Sequence, residues 1–277
     1  MKRRFVRYSS KTRHDSMALM TVPLRPLGEW RKRETMEDER KNTGLVVGAH
    51  SADFIWRAGG AIARHAKMGW EITVVCLTFG EKGESQKLWK DPGMTLDRVK
   101  RERRAEAERA GAILGVHDMQ FFDLGDYPMR TSVEDVERLA DIYQDIRPQW
   151  VLTHSLEDPY NFDHPQATRL AQEARVVAQA HGRRGVSAAI GAPPVFLFEP
   201  HQPEQCNWKP QVILDISDVW DIKRKAFESM DAQEHLWEYY TRVALQRGVQ
   251  GARNSERRMK YGEAYQRVFP QVTGELQ

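Results

Sequence analysis

Cysteine is almost missing from this chain: 277 residues hold two, Cys76 and Cys206. Two thiols build no disulfide scaffold, and a reducing cytoplasm is the expected location. No run of about 18 apolar residues occurs, which excludes a membrane-spanning helix. The opening stretch MKRRFVRYSSKTRHDSM is basic but lacks an apolar segment, so it does not read as a secretory signal. Internal repeats and low-complexity tracts are missing as well. Basic charge is scarcer than the net +3 suggests: residues 1–40 hold 11 of the 42 Lys/Arg and 6 of the 39 Asp/Glu, leaving 31 against 33. The remainder is slightly acidic and shows no basic stripe with interleaved aromatics, so no nucleic-acid partner is expected. We expect a flexible basic tail over 1–40 and a single α/β domain over 41–277 with a C-terminal helical extension. Met17, Met20 and Met36 offer alternative starts within that tail.

What is present centres on residues 44–85. Gly44–Ala49 is a short apolar run that reads as a buried strand, residues up to Met68 follow a helical period, and Ile72–Thr78 is a second Val/Ile-rich strand. Such a unit is right-handed with parallel strands, and ligands sit beyond the strands' carboxyl ends. His50 and Asp53 fall after the first strand, Glu81 and Glu84 after the second. A histidine and a carboxylate three residues apart suit a metal site, although Asp53 could equally cap the helix. Further strands are expected at Met119–Leu124, Trp150–His154, Val195–Glu199 and Val212–Ile216. Helices are expected at Thr95–Leu114, from Ser132 through Ile146, after Pro165, and over 218–230 and 234–247. The charges of 95–114 read mainly as a solvated face. His154, Asp158, Asp163 and His164 crowd one strand end as a second chemical cluster. The alternation of strands and helices predicts one α/β layer structure with a mostly parallel sheet flanked by helices.

The motifs AH-x-x-D with a following GG-x-I-A, then T-x-GE-x-GE, then D-H-x-x-A-x-x-L-A, resemble the PIG-L/LmbE-like family of zinc-dependent N-acetylglucosaminyl deacetylases over about residues 44 to 216. The resemblance implies a Rossmann-like fold and a metal held by His50, Asp53 and His164. It also exposes two departures. Ala52 stands where the family carries the aspartate that serves as general base, and Asn161 replaces the first histidine of the later motif. AHSADFIWRAGG, CLTFGEKGESQKLW, FFDLGDYPMR, EDPYNFDHPQAT, FEPHQPEQCNW and QEHLWEYYTRVALQRGVQ together resemble the 4-oxalomesaconate (4-carboxy-2-hydroxymuconate) hydratases of this superfamily, from Gly44 to the C-terminus and including Ala52.

That narrower resemblance implies a hydro-lyase of gallate and protocatechuate catabolism. It would add water to a carbon–carbon double bond to give 4-carboxy-4-hydroxy-2-oxoadipate. Zn²⁺ is the expected metal, and two histidines with one carboxylate would also take Fe²⁺ or Co²⁺. Glu84 and His201 are the expected acid–base pair; His201 sits in a loop framed by Pro200 and Pro203. A tricarboxylate substrate wants cationic forks, for which Arg57, Lys87, Arg130 and Arg242 are the candidates. Glu81 reads as a turn residue, and His65, His117, His181 and His235 as bystanders. The resemblance also implies a homo-oligomer. Two other readings compete: a zinc deacetylase of an N-acetyl sugar with Glu84 replacing the missing base, and an inactive protein that binds an acidic metabolite.

Overall fold

Val46, Ile72, Val74, Cys76 and Leu152 point to one side of the sheet, while Leu45, Val47, Val75, Val151 and Leu197 point to the other. That alternation makes two hydrophobic cores back to back, each needing helices to cover it. The computed structural model describes residues 41–183 and 190–274; the tail expected over 1–40 lies outside them. Strands β1 (Thr43–Gly48), β2 (Glu71–Cys76), β3 (Asp118–Phe121), β4 (Trp150–Thr153), β5 (Val195–Phe198), β6 (Val212–Asp215) and β7 (Gly262–Arg267) form one sheet in the order β3-β2-β1-β4-β5-β7-β6. The first five are parallel, and β7 runs antiparallel between β5 and β6. The α/β, mostly parallel architecture is the one the sequence predicts.

Helix α1 (Asp53–Lys67) crosses from β1 to β2, and α2 (Leu96–Leu114) leads into β3. With α5 (Trp220–Glu228) and α6 (Leu236–Arg253) they cover the first core; α3 (Val133–Ile146) and α4 (Asp163–Ala178) cover the second. Local chemistry sets several ends. Ser132 caps α3 in a reciprocal capping box with Asp135, and Thr95 caps α2 by accepting the Arg98 N–H. Pro165 lies in the first turn of α4, where its missing N–H is not needed. Gly60 lets α1 pass close to the sheet: a Cβ there would stand 2.6 Å from the Ile216 side chain.

One sequence expectation needs correction. The C-terminal segment is not wholly helical, because β7 follows α6 and joins the sheet. The α2 charges are mainly solvated, as expected, apart from one buried pair. Arg103 is fully buried, pairs with Glu106 at 2.6 Å and donates to Gln233 Oε1 at 3.0 Å. Glu106 also accepts the Ala232 N–H, so the pair ties α2 to the loop before α6.

Candidate metal centre

Strand order reverses between β1 and β4, and the loops after them open a crevice at the carboxyl edge of the sheet. His50, from the β1 loop, Asp53, the first residue of α1, Glu84, from the β2 loop, and His164, in the first turn of α4, converge there. Their ligand atoms lie within 4.8 Å of one another. Asp53 does not cap its helix; the N-cap is Ala52, which makes no side-chain bond. Instead, Asp53 Oδ2 accepts the His50 N–H at 2.7 Å and lies 3.1 Å from His154 Nε2. Glu84 is held by its loop, in which the Lys82 and Gly83 N–H groups donate to Asp126. The Gln233 amide adds a longer contact to Glu84 Oε2, at 3.5 Å.

The donor set fits a divalent cation. His50 Nδ1 and His164 Nε2 are buried without a hydrogen-bond partner, and buried polar atoms ordinarily have one. The opposite nitrogen of each ring meets a carboxylate: His50 Nε2 lies 3.3 Å from Asp163, and His164 Nδ1 lies 2.8 Å from Asp158. Each carboxylate can only accept, so it fixes the ring proton on its own side and turns a lone pair inward. Asp163 is itself held by the Tyr127 and Met129 N–H groups at 2.9 and 2.8 Å.

Without a cation, the charges of the cluster favour a second proton on His50. Burial opposes charge on His50, but Glu84, Asp163 and Asp53 override it and raise its pKa well above the usual imidazole value. Burial likewise disfavours the Glu84 carboxylate, yet His50 outweighs that and brings it down to about 2. Burial and the neighbouring His154 push His164 down to about 3. His154, stacked on His164 with ring centroids 4.0 Å apart and accepting the Ala49 N–H at 3.0 Å, forms the rear wall.

A cavity of about 730 Å³ opens over the cluster, and Glu84, His164, Arg57, Lys87 and His201 line it. Arg57 is buried; its Nη1 donates to the Glu199 carbonyl at 2.7 Å and its Nε lies 3.5 Å from Asp53 Oδ1. Lys87 stands at the rim and donates to the Asp231 carbonyl at 3.0 Å. The His201 ring lies 2.7 Å from the Tyr240 hydroxyl, and the Tyr239 hydroxyl donates to the His201 carbonyl. His201 is exposed as a residue, but packing around its ring and the charge of Arg57 push it down, to about 4.

Arg130 and Arg242 do not line this cavity. Arg130 is exposed and bonds the Met129 carbonyl, and Arg242 is exposed on α6 beside Glu238. His235, read as a bystander, does line the cavity, as do Lys90 and Tyr127. Glu81 stays in its turn and accepts the Phe79 N–H. Gln233 and Tyr127 carry no sequence signal, since each acquires its place from partners distant in the chain.

Similarity to known proteins follows the same residues. The PIG-L family model, described as GlcNAc-PI de-N-acetylase, matches residues 45–175. The 4-oxalmesaconate hydratase of Pseudomonas putida KT2440 is 57% identical over 250 residues, covering 89% of this chain and 96% of that protein. A crystal structure of the 4-carboxy-2-hydroxymuconate hydratase from Pseudomonas putida KT2440 superposes with a TM-score of 0.83 at 58% identity, covering 85% of this chain and all of that one. A Thermomonospora curvata 1D-myo-inositol 2-acetamido-2-deoxy-alpha-D-glucopyranoside deacetylase is 34% identical over 161 residues, half of this chain and 54% of that protein.

Proposed function

This chain belongs to the PIG-L family, among its 4-oxalmesaconate hydratases, and from that membership and the site's chemistry we infer a metal-dependent hydro-lyase. Its reaction adds water across the conjugated double bond of 4-carboxy-2-hydroxymuconate, or its 4-oxalomesaconate tautomer, giving 4-carboxy-4-hydroxy-2-oxoadipate. A place in gallate and protocatechuate breakdown, in the cytoplasm, fits that substrate. The observation that carries the reading is the metal-fitted cluster beneath a cavity, with a fully buried alanine at position 52 between two of the cluster's residues. Amide hydrolysis by this family uses a carboxylate there; without one, general-base assistance worth about 10²–10⁴-fold is forfeited.

His50, Asp53 and His164 are the proposed metal ligands, and Zn²⁺ the proposed ion, with Fe²⁺ or Co²⁺ as chemically compatible substitutes. When bound, the ion supplies a Lewis acid that polarises substrate oxygens. Glu84, the cluster carboxylate that also lines the cavity, takes the proton from the attacking water. His201 delivers a proton to carbon, its ring oriented by Tyr240. Neutral in the free protein, the ring must take up a proton in the complex, where a trianionic substrate beside it raises its proton affinity, before it can give that proton to carbon. Arg57 offers the substrate a guanidinium in the cavity wall, and Lys87 offers a charge at the rim. Arg130 and Arg242 would act only from a neighbouring copy in the proposed homo-oligomer.

The deciding experiment mixes metal-loaded protein with 4-carboxy-2-hydroxymuconate and follows the conjugated chromophore, with and without chelator. Bleaching that chelator abolishes, with the hydroxylated adduct as product, establishes reaction and metal together. Absence of bleaching with metal demonstrably bound would sink the hydratase reading and favour an inactive binder of acidic metabolites or an amide hydrolase.

A further inference from the structure

We propose that Tyr127 is a catalytic hydrogen-bond donor, its hydroxyl proton committed to the cavity by Asn161 and given to the oxygen that gains negative charge as water adds. The inference rests on the hydratase reading above.

The argument starts from a bond whose direction is fixed. Asn161 is buried, and its Oδ1 accepts the Asp163 backbone N–H at 3.1 Å. A backbone N–H only donates, so the amide oxygen must be at that end, and Nδ2 must face the Tyr127 hydroxyl, 2.9 Å away. An amide nitrogen only donates too. The phenol oxygen is therefore the acceptor in that bond, and its own hydrogen has to point elsewhere. No acceptor among the described residues receives it, and the direction left open is the cavity that Tyr127 lines with Glu84, His164 and His201.

Tyr127 is 45% exposed, on the side that faces the open cavity, yet its placement is fixed by several neighbours. Tyr127 has φ 44°, a left-handed conformation that costs a non-glycine residue energy, and Asp163 holds it by accepting its N–H at 2.9 Å. The ring packs directly on Gly83, where a Cβ would come within 2.1 Å of Cε2. Its centroid lies 5.9 Å from that of His50, beside the metal cluster and not at the distant rim. Asp163 thus steadies three things at once: the His50 ring, the Tyr127 backbone and, through its own N–H, the Asn161 amide.

Addition of water to a double bond conjugated with a carbonyl pushes an electron pair onto the carbonyl oxygen. One new bond forms from the water oxygen to carbon, the π bond shifts, and the resulting enolate is then protonated at the adjacent carbon. A donor preset toward that oxygen is worth more in the transition state than in the bound substrate. Asn161 supplies this orientation without a charge of its own, which a histidine at that position would do less definitely.

The test uses the metal-loaded full chain with 4-carboxy-2-hydroxymuconate. Wild-type turnover is measured first; if it is absent, the hydratase reading fails and not this inference alone. With turnover established, Tyr127→Phe keeps the ring on Gly83 and should lower kcat about 10- to 100-fold with KM and metal content unchanged. Asn161→Asp should cause a similar loss, because a carboxylate accepts the phenol proton and draws it out of the cavity. In the Tyr127→Phe background Asn161→Asp should then cost little more. Unchanged kcat in Tyr127→Phe overturns the proposal. A rise in KM alone would move the hydroxyl to a substrate carboxylate and overturns it as well, as does full additivity of the two changes.

Discussion

Ala52 separates this chain from the deacetylases it resembles, and its surroundings explain why a carboxylate would not be tolerated for hydration. It is fully buried between His50 and Asp53, and Glu84 and Asp163 already supply negative charge to the same cluster. Ala52→Asp should lower hydratase turnover by at least about 10-fold, the effect of one pKa unit or 1.4 kcal/mol of unwanted charge. It should yield no acetate from N-acetylglucosamine derivatives; acetate release would revive the deacetylase reading. His201 makes a second prediction. Replacing it with Asn should cost about 10²–10⁴-fold in kcat while metal content stays constant. Packing and Arg57 hold His201 down, to about 4, in the free protein, so it should set no acid limb in kcat/KM near neutrality. In the complex the substrate's carboxylates raise it, so kcat should show an acid limb at higher pH than kcat/KM, and His201→Asn should erase that limb. Coincident limbs in the two profiles would argue against this role. His50 and Asp53 drew attention through their types and spacing at a strand end, whereas His164 was singled out as a ligand by the family resemblance; the three do converge. Tyr127 was not, since nothing in DYPMR announces that Asn161 will meet its hydroxyl.

At the level of elements, the strand missed in the sequence is the one that braces the site's supporting helix. GEAYQR offers only two apolar residues, and the strand identity of β7 comes from the slot between β5 and β6. Its Glu263 looks like a surface charge, yet it is buried and accepts the Gly60 and Ala61 N–H groups of α1, each at 2.7 Å. Lys223 of α5, also buried, pairs with it at 2.6 Å and donates to the Trp56 carbonyl, and the Tyr265 hydroxyl adds a fourth donor. Four donors around one carboxylate make the cluster satisfied but intolerant of loss. Lys223→Met should cost about 3–5 kcal/mol in urea unfolding of the metal-loaded protein, because it strands a buried charge. Adding Glu263→Gln should recover much of that; a loss under about 1 kcal/mol for Lys223→Met alone would mean the site is effectively hydrated. Arg103 and Glu106, the buried exceptions among the α2 charges, carried no sequence signal for the same reason. Hydrophobic periodicity identifies which face of α2 meets the core, but not that a loop 130 residues away will bury an ion pair of that helix. The parallel strands β1, β2, β4 and β5, by contrast, are largely apolar runs and were readable, while the half-exposed edge strand β3 (DMQF) was read only approximately, as Met119–Leu124.

For the whole molecule, the metal would act as a clasp across the carboxyl edge of the sheet. Its candidate ligands come from the loops after β1 and β2 and from the helix after β4, joining elements on both sides of the point where strand order reverses. Binding to the folded chain alone therefore stabilises all of it, by about 2.7 kcal/mol at a free metal concentration 100 times the Kd. The pH dependence follows from His50. Its folded pKa is raised above the unfolded value near 6.5, so without metal its contribution to stability is full below that value and fades as pH climbs through the raised one. The cation needs the deprotonated ring, so its affinity should increase over the same range, and the gap in Tm between metal-loaded and metal-free protein should widen from about pH 6 to 8. Near neutrality His50 is also the ligand with a proton to surrender, since His164 titrates near 3 and Glu84 near 2. Titrating metal into the metal-free protein in two buffers of different ionisation enthalpy should then show release of about one proton per ion. Identical heats in both buffers would mean that no proton occupies the cation's place, and that the ring turned toward Asp53 and Glu84 is already neutral.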